Sequence, residues 1–160
     1  MFEGELVKHL VDFLAEIGIS AIPASSISPT LFPGLDIQRG AVLIDETRLV
    51  NPGDILHEAG HIAVTAPSAR YELRVQPTGG QEVAALAWSY AAALHLGLPP
   101  SVVFYPASYH DFGNELVGNF ADGRYIGVPL LQTYGMTLDR QRAERAGASP
   151  YPHMLKWLRP

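Results

Sequence analysis

The segment Ile55-Leu56-His57-Glu58-Ala59-Gly60-His61-Ile62-Ala63-Val64-Thr65 is apolar almost throughout, with His57, Glu58 and His61 as its exceptions. Asn51-Pro52-Gly53-Asp54 before it reads as a helix start, with Asn51 as N-cap, Pro52 at the first helical position and Asp54 in the first turn. Ala66-Pro67 reads as the stop. A helix apolar all round must be buried, so the fold has to form around this one. A buried carboxylate and two buried imidazoles then need partners, because an unpaired charge in the interior costs several kcal/mol.

His57 and His61 are four residues apart, so they project from one helix face, one turn apart. That spacing in H-E-x-x-H lets two imidazoles grip one metal ion. Glu58 beside them can take a proton from water. The bland alternative is a His-Glu-His hydrogen-bonded cluster with no metal. Gly60 lowers helix stability relative to alanine, which points to close approach by another backbone.

These residues resemble the H-E-x-x-H helix of the zincin metallopeptidases, in which the two histidines are zinc ligands and the glutamate is catalytic. The uncharged Ile55, Ala59, Gly60 and Ile62 and the apolar Ala63 agree with the extended pattern of that family. The resemblance runs from the segment before the motif helix through the next helix. It implies Zn2+ held by His57 and His61, Glu58 as general base, and a peptide or protein substrate.

A catalytic zinc site keeps three protein ligands and one open position. The metzincin continuation is missing, because Val64 and Pro67 stand where its glycine and third histidine would be. A peptide-deformylase-like site needs a cysteine ligand, and the chain has none. The gluzincins, which the chain also resembles, take their third ligand from a glutamate on the following helix. Thr78-Gly79-Gly80-Gln81 reads as a capping box, and the helix it opens carries Glu82 in its first turn and ends near Gly97. The resemblance therefore implies Glu82 as third ligand. The alternative for Glu82 is a solvated acid favoured by the helix dipole. His110 and Asp111 are rivals for the position. Glu72, in a short exposed strand or loop, and His95, near a helix C-terminus, are poorer ones.

A further donor should stabilise the oxyanion of a hydrolytic transition state, and Tyr109, His110, Arg124 and Tyr125 are the candidates. The ligand histidines should each give the second ring N–H to a carboxylate or carbonyl; Asp111 is one acceptor to consider.

The remaining pattern implies an α+β fold, a small mostly antiparallel sheet flanked by helices. The motif helix packs on the glutamate-bearing one, as in zincins. Glu3 to Ile17 repeats as an amphipathic helix closed by Gly18. Ser20-Ala21-Ile22 and Ala41 to Asp45 read as strands. Asp45-Glu46-Thr47 reads as a turn into a return strand at Arg48-Leu49-Val50, and Tyr71, Leu73 and Val75 alternate as in a short strand. The strand before the motif helix is a candidate edge for substrate strand addition. Thr137 to Ala146 reads as a helix capped by Thr137 and stopped by Gly147. The aromatic tail from Ser149 should pack back on the body or dock a second subunit, so a homodimer is plausible.

At 160 residues, with 48% hydrophobic and 17% charged side chains, residues 1–160 should form one domain with a true core. A net charge of −5 argues against a nucleic-acid partner. No apolar run approaches the roughly twenty residues needed to span a membrane. An acidic N-terminus and no cysteine suit the cytoplasm. Competing functions for the same residues are a non-peptide metal hydrolase, a zincin-fold binding or regulatory protein without turnover, and a two-histidine-one-carboxylate iron site.

Overall fold

The computed structural model describes residues 1–105 and 112–160. The chain is α+β, with a three-stranded sheet and, among the described residues, six α-helices. Helix α1 (Glu5–Glu16) turns Val7, Leu10, Phe13 and Leu14 inward, and Gly18 follows it with a left-handed φ of 88°. Strand β1 (Ser20–Pro23) lies at one edge of the sheet, β3 (Ala41–Ile44) in the middle and β2 (Leu35–Gln38) at the other edge.

The sheet is mixed rather than mostly antiparallel. β2 pairs with β3 antiparallel, but β1 pairs with β3 parallel. The reason lies in a hairpin whose two loop residues are Arg39 and Gly40, with φ of 51° and 74°. Two positive φ values in a two-residue loop match the twist of the flanking strands. The chain thus reverses at Arg39-Gly40, and β3 leaves it running in the direction of β1. Arg48-Leu49-Val50 is not a strand, and neither is the Tyr71–Val75 segment. The Arg39 N–H donates to the carbonyls of Glu72 and Leu73, which leaves that segment as an irregular strap beside the hairpin.

Helix α2 (Asp54–Val64) carries the H-E-x-x-H motif and is buried except at Glu58. It begins after Gly53; the Asn51 amide donates to the Asp54 carboxylate and the Val102 carbonyl instead of capping. Helix α3 (Gly79–His95) opens with the full capping box, Thr78 accepting from the Gln81 N–H and Gln81 accepting from the Thr78 N–H. Its middle, Ala84 to Ala93, is buried. Gly60 is where α2 meets α3: a Cβ at that position would lie 3.0 Å from the Ala85 carbonyl oxygen.

A short 3-10 turn (Pro100–Val102) follows, then helices α4 (Gly113–Ala121), α5 (Val128–Thr133) and α6 (Arg140–Ala146). Tyr90, Phe104, Phe120, Tyr125 and Tyr151 form an aromatic cluster between them. Helix α6 is capped by Asp139, not Thr137, whose hydroxyl donates to the His153 carbonyl. The tail packs on the chain's own body. Trp157 stands edge-on to Phe13 and Trp88, and its carbonyl accepts from the Trp88 indole.

The end of α2 is held by two arginines. Buried Arg70 donates to the carbonyls of Ile62, Thr65 and Arg159. The Arg159 N–H donates to the Ala63 carbonyl and its guanidinium to that of Val64. Among the described residues, no helix is long and apolar enough to cross a membrane.

Candidate metal centre

The helical spacing brings the His57 and His61 rings together edge to face, centroids 4.6 Å apart at 87°. Their Nε2 atoms are 3.0 Å apart. The Gly60–Ala85 contact sets α3 close enough for Glu82, in its first turn, to reach both. Glu82 Oε1 lies 2.9 Å from His57 Nε2, and Oε2 lies 3.2 Å from His61 Nε2. The histidines are buried, whereas Glu82 is half-buried. The ring of Phe32 stands against that of His57, centroids 5.3 Å apart.

Could hydrogen bonds alone account for this cluster? If both neutral imidazoles donated from Nε2 to Glu82, two N–H groups would face each other across 3.0 Å. That arrangement is repulsive. A cation accepts all the lone pairs at once. Tetrahedral bonds of about 2.0–2.1 Å put ligand atoms roughly 3.3 Å apart, close to the separations here. His57, His61 and Glu82 could therefore hold a metal ion.

The electrostatics agree with that use. Burial lowers the pKa of His57, against an opposing hydrogen bond to Glu82, and so favours the neutral ring a metal requires. The hydrogen bonds from His57 and His61 hold the Glu82 carboxyl well below the usual carboxylate range, burial notwithstanding. Glu58 is pushed up to about 7, chiefly by burial. His61 opposes that shift, and the carboxylates of Glu82, Asp54 and Asp36 reinforce it.

Glu58 and the three cluster residues line one cleft of about 240 Å³. Its other walls come from Leu31 and Phe32, from Asp36 and Ile37 of β2, and from Arg74, Val75 and Pro77 of the strap. A larger groove, of about 1020 Å³, runs beneath the N-terminus between Pro23–Pro29 and Ile44–Arg48, away from these groups.

The other sequence candidates that the structure describes fall elsewhere. Tyr109, His110 and Asp111 lie outside the described residues. Glu72 faces an adjoining cleft. His95 packs on Phe13 and Trp157 at the far end of α3. Arg124 pairs with Asp122, and Tyr125 belongs to the aromatic cluster. The buried His61 Nδ1, expected to reach an acceptor, has none among the described residues. The strand expected just before the motif helix, at Arg48-Leu49-Val50, is absent; the last strand before that helix, β3, is central, and the edge that borders the cleft is β2. Asp36 and Arg74 escaped the sequence reading, because their pairing joins a strand to a distant strap and leaves no local pattern.

No known protein family matches the chain, and neither does any curated protein or solved structure.

Proposed function

We propose that this chain is a small zinc-dependent hydrolase of zincin type, most simply a metallopeptidase. The observation that supports it best is the convergence of His57 Nε2, His61 Nε2 and both Glu82 oxygens within 3.2 Å, on a cleft that Glu58 also lines. Zinc bound there supplies Lewis acidity, which acidifies water and polarises a carbonyl.

The chain's own groups do the rest. His57 and His61 present lone pairs from a rigid, buried helix, and Glu82 adds the negative charge. The Glu58 carboxylate takes the proton of the attacking water and returns it to the leaving amine. Leu31, Phe32, Ile37, Val75 and Pro77 line the cleft with apolar surface and thin the water around the reacting carbonyl.

The β2 edge offers an extended substrate little by way of strand addition: the Ile37 N–H that turns away from β3 donates to the Asp36 carboxylate, and the Leu35 N–H and C=O pair with the Phe32 carbonyl and the Thr30 hydroxyl.

The test is elemental analysis of the purified protein, followed by a broad fluorogenic-peptide screen. One zinc per chain is expected, with cleavage lost in Glu58→Gln while the zinc stays. Zinc that persists in a His57→Ala/His61→Ala double variant would refute the site. Zinc binding without cleavage of any peptide, and with no difference between wild type and Glu58→Gln, would make the chain a zincin-fold binding protein instead.

A further inference from the structure

We propose that Arg74 sets substrate preference at this site by binding a carboxylate on the substrate, an inference that rests on the hydrolase reading above. Arg74 is the only arginine or lysine lining the metal cleft among the described residues. It also lines the adjoining cleft of about 360 Å³, with Thr65, Glu72, Gln76 and Gln81. A chain leaving the metal cleft toward that second cleft passes the guanidinium.

Arg74 is available for this in a way that Arg70 is not. Arg70 is buried, with its donors committed to three carbonyls. Arg74 has 58% of its side chain exposed and, among the described residues, gives one hydrogen bond, from Nη1 to Asp36 Oδ1 at 3.0 Å. Asp36 also accepts from the Ile37 N–H at 2.9 Å and the Gln38 amide at 2.8 Å, so its charge is satisfied by more than Arg74. The pair holds the guanidinium on the cleft wall and leaves the rest of its planar fork for a second carboxylate. Glu58 lines the metal cleft and Glu72 the adjoining one, so an anion entering either meets its favourable partner at Arg74.

The carboxylate could belong to an acidic side chain or to a free C-terminus, and the probes separate the two. Cobalt-loaded protein is titrated with three hydroxamates: N-hydroxysuccinamoyl-alanine, its C-terminal amide, and the aspartic acid α-amide analogue. Binding is read from the visible cobalt bands, independently of turnover. One or both carboxylate probes should bind at least about tenfold tighter than the neutral amide. The acid probe reports a terminal carboxylate and the aspartyl probe a side chain.

Arg74→Gln should abolish that advantage while leaving affinity for the neutral amide unchanged, and Arg74→Lys should restore part of it. Equal binding of all three probes by the wild type overturns the assignment, as does an advantage that survives in Arg74→Gln. Cobalt bands with no charge preference defeat this inference alone. If wild type shows no cobalt bands, the metal reading falls and this one with it.

Discussion

Gly60 on α2 lies directly against the backbone of Ala85 on α3: a Cβ there would meet the Ala85 carbonyl oxygen at 3.0 Å, its Cα at 3.2 Å and its Cβ at 3.3 Å. This contact sets the spacing of the two helices. It lies between the histidines of one helix and one turn along from the glutamate of the other, so it governs how closely His57, His61 and Glu82 approach.

Gly60→Ala should therefore weaken the site from outside it. Alanine raises helix propensity by about 1 kcal/mol, but overpacking against a backbone costs about 1–3 kcal/mol. We expect a net loss of about 1 kcal/mol in urea denaturation of the metal-free protein. Zinc affinity, read by chelator competition, should fall as well.

Glu82→Gln keeps the shape of the side chain and removes its charge. The variant should fold like the wild type by circular dichroism, since Glu82 stands at the end of its helix with 43% of its side chain exposed. Zinc affinity should fall at least about tenfold to a hundredfold, because Glu82 is the one carboxylate of the His57-His61-Glu82 group. Unchanged zinc affinity would exclude Glu82 as a ligand.

Asp54 gives a pH test away from the cluster. It is 2% exposed, and burial raises its pKa from 3.8 to about 6 against hydrogen bonds from Asn51 and Tyr105. The folded state thus holds this proton more tightly than the unfolded chain does. Its contribution is fully present below the unfolded pKa and fades as pH rises through about 6, a loss of about 2–3 kcal/mol. Asp54→Asn should remove that slope. Its stability relative to wild type, from urea melts at pH 4 through 8, should rise with pH and level off above about 7.

Arg70→Ala should be among the more damaging single changes. It strips the donor from the carbonyls of Ile62, Thr65 and Arg159 at the C-terminal end of the histidine helix. Hydrogen bonds from a charged donor to buried carbonyls suggest a cost of about 3 kcal/mol, measurable by thermal or urea unfolding. Arg70→Lys, which lacks the fork, should recover only part of it.

The two helices that build the cluster were legible because their signals are local. The Thr78/Gln81 box, the H-E-x-x-H spacing and Gly60 as a close-approach residue all carry over into the structure. β2 was not legible. Four residues, Leu35 to Gln38, are too few to show alternation, and its hairpin turns on Arg39-Gly40, where a left-handed arginine replaces the usual asparagine or aspartate. Asp45-Glu46-Thr47 resembled the hairpin turn instead; its Asp45–Thr47 hydrogen bonds make a local turn with no strand after it. The start of helix α5 carries a local sign, the Gly127-Val128-Pro129 sequence. Gly127 precedes Val128-Pro129 with φ of 82°, and a Cβ there would strike the Val83 carbonyl. The cleft walls at Asp36 and Arg74 depend on tertiary pairing, which no local pattern encodes.

The grip of Arg159 on the carbonyls of Ala63 and Val64 has a bearing on how the chain matures. On the ribosome, the histidine and glutamate helices emerge long before residue 159 is translated. Until then Arg70 alone holds the last turn of the histidine helix, through the carbonyls of Ile62 and Thr65, and those of Ala63 and Val64 face water. The hydrogen bonding of that last turn is completed only once residue 159 is in place.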